Sequence, residues 1–261
     1  MKYLVTINPL IYNQNMSIAV FSDIHGNLEA LEAILKDIHK KRRQIKEIYF
    51  LGDAVTFGPD SSACLKLLKK HDVKCVIGNH EQRFIKYCKT IAEMTVGGIK
   101  HKEYIYHSLD NEDIEFIKSM PLERTLDFKG YKLYFAHYSY DDKGVLSEDM
   151  DVFREDVLDK LFKKSDCDVV FYGHIHARKL YIRSGQKSYF NLGSSGCAKG
   201  DITNYTIFDV GRSVEGNFDI YRVQVKFNRA KFEKKMHLAN MPEKEFFGTK
   251  FFGIDFKKGD V

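Results

Sequence analysis

The chain has 261 residues, of which 44% are hydrophobic, so it carries enough apolar material for the core of a globular enzyme. It has no run of roughly eighteen or more apolar residues and no charged start before a long apolar segment, so we expect neither a membrane span nor a signal peptide. The formal net charge of +5 permits a phosphate or nucleic-acid ligand without identifying one.

The cysteines bear on the cellular compartment. They are odd in number and form no Cys-x-x-Cys pair: Cys64, Cys75, Cys88, Cys167 and Cys197. Such a scattered set argues against a disulfide framework. We therefore expect reduced thiols, a cytoplasmic protein, and cysteines that mostly pack as small apolar residues.

The first strong structural pattern begins after residue 16. Residues 4–12 are partly apolar and predict an added strand, so residues 1–15 are a candidate N-terminal extension. Met16 is a second candidate start beside Met1, and the sequence leaves both open.

The first half of the chain reads as strand, polar loop and helix, repeated. Short apolar runs predict strands over residues 18–21, 45–51 and 73–77. Apolar residues at helical spacing predict helices over residues 28–38 and 61–70. Alternating strands and helices imply a parallel α/β sheet with right-handed crossovers, and such sheets bind ligands beyond the carboxyl ends of their strands.

The second half is richer in strands. Residues 91–120 are typical of helix, and Asp110 with Asp113 predicts an N-terminal capping box for a helix over 114–120. Lys129-Gly130 predicts a hairpin between strands 124–128 and 131–136. Further strands are predicted over 169–172, 180–182, 189–192, 205–210 and 218–225, before a helical tail over 226–261. No repeat or linker interrupts the chain, so we expect a single domain over residues 1–261.

Polar residues of metal-binding type follow five of the predicted strands: Asp23, His25, Asp53, Asn79, His80, His137, His174 and His176. Asp23 and His25 are two residues apart, so in extended backbone they point to the same side. Buried charges need a partner or a metal, which makes this set too costly to be accidental. Imidazole and carboxylate ligands suit zinc, iron or manganese, and Asp53, with two oxygens, is the natural bridge between two ions.

These motifs resemble, in order and spacing, the calcineurin-like metallophosphoesterase superfamily. The resemblance depends on Asp23-Ile24-His25, Gly52-Asp53, Gly78-Asn79-His80-Glu81, His137 and Gly173-His174-Ile175-His176. Three further stretches resemble the small bacterial and archaeal branch: Asp23 to Leu31, Gly58-Pro59-Asp60, and Asn191-Leu192-Gly193-Ser194-Ser195-Gly196. The resemblance covers roughly residues 17–210.

The resemblance implies a four-layer α-β-β-α sandwich, in which two mixed sheets are flanked by helices. It implies a first metal at Asp23, His25 and His176, a second at Asn79, His137 and His174, and Asp53 as their bridge. His80 is expected to protonate the leaving oxygen or to stabilise the transition state, and Asn27 and His80 are expected at the substrate. The implied reaction is hydrolysis of a phosphomonoester or phosphodiester through a metal-bridging hydroxide.

The chain departs from the family pattern in two places. Protein phosphatases of the superfamily carry Gly-Asp-x-Val-Asp-Arg-Gly, whereas this chain has Thr56 and Phe57 in place of the Asp and Arg. This departure argues against a protein phosphatase. Tyr138 follows His137 where relatives usually have glycine, so we expect a narrowed pocket or a shifted ligand there.

Several alternatives stay open on the sequence alone. A nuclease or dinucleoside polyphosphate hydrolase is the second enzymatic hypothesis, and a nucleic-acid partner has only the mild positive charge in its favour. A scaffold that keeps the fold without catalysis is the non-enzymatic hypothesis. The retained His80 and the full ligand set favour the enzyme acting on a small phosphorylated substrate.

Overall fold

The computed structural model describes residues 17–41, 45–88, 99–147, 154–176, 180–210 and 218–257. The predicted strand within residues 4–12 lies outside the described residues. The strands are β1 Ser17–Phe21, β2 Ile45–Phe50, β3 Lys74–Cys75, β4 Glu123–Phe128, β5 Tyr131–Ala136, β6 Val169–Tyr172, β7 Leu180–Ser184, β8 Lys187–Asn191, β9 Ile202–Val210 and β10 Phe218–Lys226. The helices are α1 Leu28–Lys40, α2 Ser61–Lys70, α3 Asn79–Cys88, α4 Ile99–Ser108, α5 Asn111–Ser119, α6 Glu155–Leu161, α7 Arg229–Leu238 and α8 Lys244–Phe247, followed by a π-helical turn, Gly248–Phe252.

The strands form two mixed sheets of five. The first has the order β10-β9-β1-β2-β3, and the second has the order β4-β5-β6-β8-β7. Strands β1, β2 and β3 are parallel to one another, as are β5, β6 and β8. In the first sheet, β9 pairs antiparallel with both β1 and β10. In the second sheet, β4 pairs antiparallel with β5, and β7 pairs antiparallel with β8. Each sheet therefore contributes three parallel strands whose carboxyl ends share one edge.

Three apolar clusters separate four layers. One contains Phe21 and Phe50 of the first sheet together with Leu31 of α1 and Leu65 of α2. A second lies between the two sheets and joins β1 to the phenylalanines of β5, β6 and β8. The third joins Leu158 of α6 to the outer face of the second sheet. Helix, sheet, sheet and helix are thus stacked in that order, which confirms the predicted sandwich.

The strand β1 shows why a continuous apolar run reads as a central strand. All five of its residues are buried, because alternate side chains enter the helix-side cluster and the inter-sheet cluster. Parallel strands covered on both faces need apolar residues at every position. The same reasoning accounts for β6, whose four residues are all buried.

The structure shortens the third predicted strand. Only Lys74 and Cys75 pair with β2, at the edge of the first sheet. The amide of Ile77 then donates to the carbonyl of Pro121 at 2.8 Å, so the chain has left the ladder by that point. The capping box at Asp110 and Asp113 is confirmed, and its helix begins at Asn111.

The C-terminal segment returns to the first sheet's helical layer. Helix α7 packs Phe232 and Met236 against Ala30 of α1, together with Phe252 of the π-helical turn. The Lys235 ammonium lies 2.7 Å from a carboxylate oxygen of Glu29 and 2.7 Å from one of Asp60. Across the described ranges, none of the helices combines the length and apolar character needed to cross a bilayer.

Candidate metal centre

The predicted site residues follow the carboxyl ends of five of the six parallel strands. Asp23 and His25 follow β1, Asp53 follows β2, and Asn79 follows β3 and opens α3. From the second sheet, His137 follows β5, and His174 and His176 follow β6. Because the two sheets share this edge, the structure brings all of these side chains together.

At four of these positions the backbone has a strained left-handed conformation and not an extended one. Asp23, His25, Asp53 and His174 have φ angles of +56°, +48°, +61° and +67°, in the left-handed region. Residues without the freedom of glycine seldom adopt this conformation except where surrounding structure holds them in it, often at functional sites. The expectation that Asp23 and His25 converge because the backbone is extended was therefore wrong in its reason, although the side chains do converge.

One group of donor atoms lies between the first sheet and the end of β6. The Nε2 atoms of His25 and His176 are 3.0 Å apart. Asp23 Oδ1 lies 3.2 Å from His176 Nε2 and 3.9 Å from His25 Nε2. Asp23 is fully buried, and its Oδ1 has no hydrogen-bond partner among the described residues. We call Asp23, His25 and His176 the first ligand group.

A second group lies beside it. The Oδ1 atom of Asn79 is 2.9 Å from His137 Nε2 and 2.9 Å from His174 Nδ1. The Nε2 atom of His174 is buried and has no hydrogen-bond partner among the described residues. We call Asn79, His137 and His174 the second ligand group.

Asp53 lies between the two groups. Its Oδ2 atom is 3.7 Å from His25 Nε2 in the first group and 3.2 Å from His137 Nε2 in the second. Its Oδ1 atom accepts a hydrogen bond of 2.9 Å from the backbone amide of His80, which fixes the carboxylate's orientation. A carboxylate placed in this way can serve both groups at once.

Backbone carbonyls orient two of the imidazoles. His137 Nδ1 is 2.7 Å from the carbonyl oxygen of Leu51, and His25 Nδ1 is 3.2 Å from that of Val55. A carbonyl oxygen only accepts, so each Nδ1 carries a proton and each Nε2 is the ring nitrogen that faces the site. Metal-binding histidines are typically oriented by this kind of outer hydrogen bond.

Comparison with known proteins agrees with this geometry. The profile of the calcineurin-like phosphoesterases matches residues 16–178, more than half of the chain. The chain belongs to the calcineurin-like phosphoesterase family. Members of this family bind divalent metals, and the ligand groups described above fall within the matched segment.

The chain is also similar in sequence to an archaeal protein and similar in fold to solved structures. The uncharacterized protein MJ0912 of Methanocaldococcus jannaschii is 30% identical over 245 residues, covering 87% of this chain and 94% of that protein. A metallophosphoesterase from Sphaerobacter thermophilus is 22% identical with a TM-score of 0.67, over 90% of this chain and 98% of that one. The hypothetical protein PH1004 of Pyrococcus horikoshii OT3 is 18% identical with a TM-score of 0.71, over 92% and 99%. At these identities the two structures establish a shared fold.

The electrostatics of the phosphoesterase site favour cations. Burial acts to raise the pKa of Asp53, but the imidazoles of His137 and His80 outweigh it and hold that pKa well below its usual value. Burial likewise acts to raise the pKa of Asp23, but the contact with the His176 imidazole, 3.2 Å from Oδ1, outweighs it and lowers that pKa. Both carboxylates are therefore anionic at neutral pH, and buried anions require positive charge beside them.

The donor set fits the metals that the family binds. Within the part of the chain that the structure describes, a buried carboxylate oxygen and a buried imidazole nitrogen have no hydrogen-bond partner, and the Nε2 atoms of His25 and His137 face the same carboxylate. Uncompensated buried polar atoms are rare in folded proteins unless a ligand completes them. Nitrogen and carboxylate donors in this number suit zinc, iron or manganese.

His80 lies at the open side of the site. Its Nδ1 atom is 2.7 Å from the Thr56 hydroxyl, and its Nε2 atom is 3.9 Å from Asp53 Oδ2. Its side chain is 18% exposed, whereas those of His25 and His137 are 0% exposed. His25, Asp53 and His80 also offer donor atoms within 4.8 Å of one another, so the geometry alone permits His80 as a ligand.

Tyr138 does not narrow the site. Its ring is fully buried in the cluster under α6, where it packs beside Phe162 and Tyr172. It also lies 5.2 Å from the ring of His174, centroid to centroid, on the side away from solvent. His137 keeps its contacts with Asp53 and Asn79, so the expected displacement of this residue was wrong.

Asn27 has a different place from the one predicted. Its side chain is fully buried, its Oδ1 accepts from Ala30 N at 3.0 Å, and its Nδ2 donates to Gly196 O at 2.8 Å. A buried amide with both ends engaged does not reach a bound ester. Asn27 therefore caps α1 and ties it to the loop after β8, which corrects the predicted substrate contact.

Sequence reasoning, which expected Glu81 to orient His80 or to close a nearby helix start, missed the extent of the Glu81 contacts and two further features of the site altogether. The Glu81 carboxylate accepts from the backbone amides of Gly78, Asp53, Ala54 and Val55 at 2.7–3.1 Å, and so joins the start of α3 to the loop after β2. Its position three residues into a helix, a capping-box slot, was the available signal. The other two, an aromatic column and Cys197, have no local sequence signature.

The aromatic column covers one side of His25. The ring of Phe57 stacks on His25 at a centroid distance of 4.3 Å and on Phe251 at 4.1 Å. Phe247 lies 5.1 Å from Phe57. The C-terminal segment thereby contacts the site through aromatic rings.

Proposed function

We propose that this chain hydrolyses a phosphomonoester or phosphodiester at a dinuclear metal site. The observation that carries the proposal is the position of Asp53 between two complete ligand groups. One such group would indicate a single ion, whereas a shared carboxylate is the arrangement that two ions require. In this proposal Asp23, His25, His176 and Asp53 hold one ion, and Asn79, His137, His174 and Asp53 hold the other.

Two bound cations would supply a water of lowered pKa and would offset the charge that develops on the phosphoryl oxygens. The chain's own contribution is to fix the ligands. The carbonyls of Leu51 and Val55 hold His137 and His25 in the tautomer that presents Nε2. The His80 amide holds Asp53. These contacts are in place in the folded chain, so little reorganisation is needed on binding.

His80 is proposed to protonate the leaving oxygen or to stabilise the charge that develops in the transition state. Its exposure and its hydrogen bond to Thr56 place a ring nitrogen at the accessible side of the ligand groups. Thr56 itself has a φ of +72°, a strained conformation for a β-branched residue. The strain is consistent with a residue held in place to orient His80.

The experiment is metal analysis followed by an ester panel. The purified chain is stripped of metal, reconstituted separately with manganese, iron(II) or zinc, and assayed on matched alkyl and aryl phosphomonoesters and phosphodiesters. We expect two ions per chain and turnover of at least one ester class. Two bound ions without turnover of any ester would overturn the proposal in favour of a scaffold.

A further inference from the structure

Cys197 is the one thiol, among the described residues, that lies at the metal centre. Its sulfur, His25 and His176 offer donor atoms that all lie within 4.8 Å of one another. The other cysteines whose side chains are described, Cys64, Cys75 and Cys167, are buried in apolar clusters. Cys197 also packs against the C-terminal apolar cluster, but it is only partly buried and offers its sulfur beside two of the site's imidazoles.

A second observation points to a ligand at the same place. The Oδ1 atom of Asp23 is buried without a hydrogen-bond partner, 3.2 Å from His176 Nε2. His176 Nε2 is also 3.0 Å from His25 Nε2, so the donor atoms of these three residues converge. The imidazoles of His25 and His176 are thus shared by two sets of donors, one with the Asp23 carboxylate and one with the Cys197 thiol.

The loop that carries Cys197 is held firmly against the loop after β1. Gly196 N donates to Asp23 O at 2.9 Å, and Ser195 N donates to Ser22 O at 2.9 Å. The Ser194 hydroxyl donates to Asp23 O at 2.7 Å and accepts from Cys197 N at 2.8 Å. These bonds join the backbone of Cys197 directly to that of a first-group ligand. The sulfur is therefore preorganised rather than brought to the site by chance.

We propose that the Cys197 thiolate is a further ligand of the ion held by Asp23, His25 and His176. The thiol releases its proton on binding, as cysteine ligands do. Thiolate is a soft donor that favours zinc or iron(II) over manganese or magnesium. The inference deepens the proposed function, on which it rests, by assigning a metal preference to one of the two positions.

The test is the absorption spectrum of the full chain loaded with cobalt(II), which shows a near-ultraviolet sulfur-to-cobalt charge-transfer band only when thiolate is bound. We expect the band in the parent chain and in Cys167→Ser, and its loss in both Cys197→Ser and Cys197→Ala. Zinc-edge X-ray absorption should show a sulfur shell at about 2.3 Å that the Cys197 variants lack. Thermal unfolding of the metal-free variants checks that each one folds.

Competition titration gives a second readout. The preference for zinc over manganese should fall by about 10-fold or more in Cys197→Ser, the scale on which changes around a metal ligand act. Two cobalt ions per chain without the charge-transfer band would overturn the Cys197 ligand and leave the proposed function standing. A band that persists in both folded Cys197 variants would also overturn it. Failure of the parent chain to bind any metal would overturn both proposals together.

Discussion

Asp53 has a strained backbone conformation, and its carboxylate both lies between the two ligand groups and accepts a hydrogen bond from the His80 amide. A residue with φ of +61° is normally glycine, asparagine or aspartate. Asparagine can therefore occupy this position without changing the backbone, so the substitution Asp53→Asn removes the negative charge and keeps the backbone conformation.

We expect Asp53→Asn to reduce the bound metal from two ions to one or fewer per chain and to lower turnover by about 100-fold or more, since the bridging anion is lost. The measurement is metal stoichiometry beside steady-state kinetics. Asp72→Asn is the matched control, because Asp72 also has a positive φ, of +51°, but is exposed. Full metal content in Asp53→Asn would contradict the bridge.

We expect His80→Gln to keep its metal and lose turnover selectively. If His80 protonates the leaving oxygen, its loss should cost about 10²–10⁴-fold on an alkyl ester and much less on a nitrophenyl ester, whose leaving group needs no proton. His107→Gln, on the exposed face of α4, is the control. Equal losses on both esters would indicate charge stabilisation instead, and loss of metal would make His80 a ligand.

Individual ligands were predictable from the sequence because they occur in short runs at the ends of apolar strands. Cys197 and Asn27 were not predictable in the same way. The contacts of Cys197 are with residues far away in the chain, and nothing beside it marks a ligand. Asn27 follows His25 closely in sequence, yet the turn directs its side chain beneath the site and into the cap of α1.

Among the elements, the loop after β8 is held most closely to the site. A Cβ added to Gly196 would lie 1.8 Å from the carbonyl oxygen of Ile24, so no larger residue fits without moving one of the two loops. Glycine here serves close approach of two backbones, since its φ is not in the left-handed region.

We expect Gly196→Ala to lower the free energy of unfolding by about 1–3 kcal/mol through overpacking and to weaken metal binding by displacing Asp23. Urea unfolding and metal titration measure the two effects. Gly200→Ala is the control in the same segment, because nothing lies within 4 Å of its added Cβ. Equal free energies of unfolding for the two variants would show that the loop can move to accommodate the added methyl group, which would contradict this explanation.

The elements themselves were largely predictable. Buried parallel strands and amphipathic helices have strong periodic patterns, and the predicted bounds of α2 and β6 agree with the structure. The third strand was predicted to be longer than it is, because an apolar run in the sequence indicates burial but does not indicate strand pairing. Val76 and Ile77 are buried, but residues 76 and 77 lie beyond the two-residue ladder with β2.

At the scale of the whole molecule, each ligand group draws on both sheets. The first joins two residues after β1 to one after β6, and the second joins one residue after β3 to two after β5 and β6. Bound ions would therefore crosslink the two halves of the sandwich. The pairing of the two sheets followed from the family resemblance alone, since strand periodicity does not say which strands share a sheet.

We expect removal of metal by a chelator to lower the melting temperature by about 10–20 °C, because each of the two proposed ions, at about 100 times its dissociation constant, stabilises the native state by about 2.7 kcal/mol. Differential scanning calorimetry with and without chelator measures the shift. The Asp53→Asn chain serves as the control and should respond less. An unchanged melting temperature in a chain shown to lose both ions would contradict the crosslink.

The aromatic column also makes the site accessible to optical measurement. The chain contains no tryptophan, and Phe251 lies one ring away from His25 through Phe57. Phe251→Trp would place a single indole at the far end of that column. Its fluorescence would report the movement of His25 as an ion enters, in real time and without a chromogenic substrate, so the order and rate of loading could be followed before any ester is known.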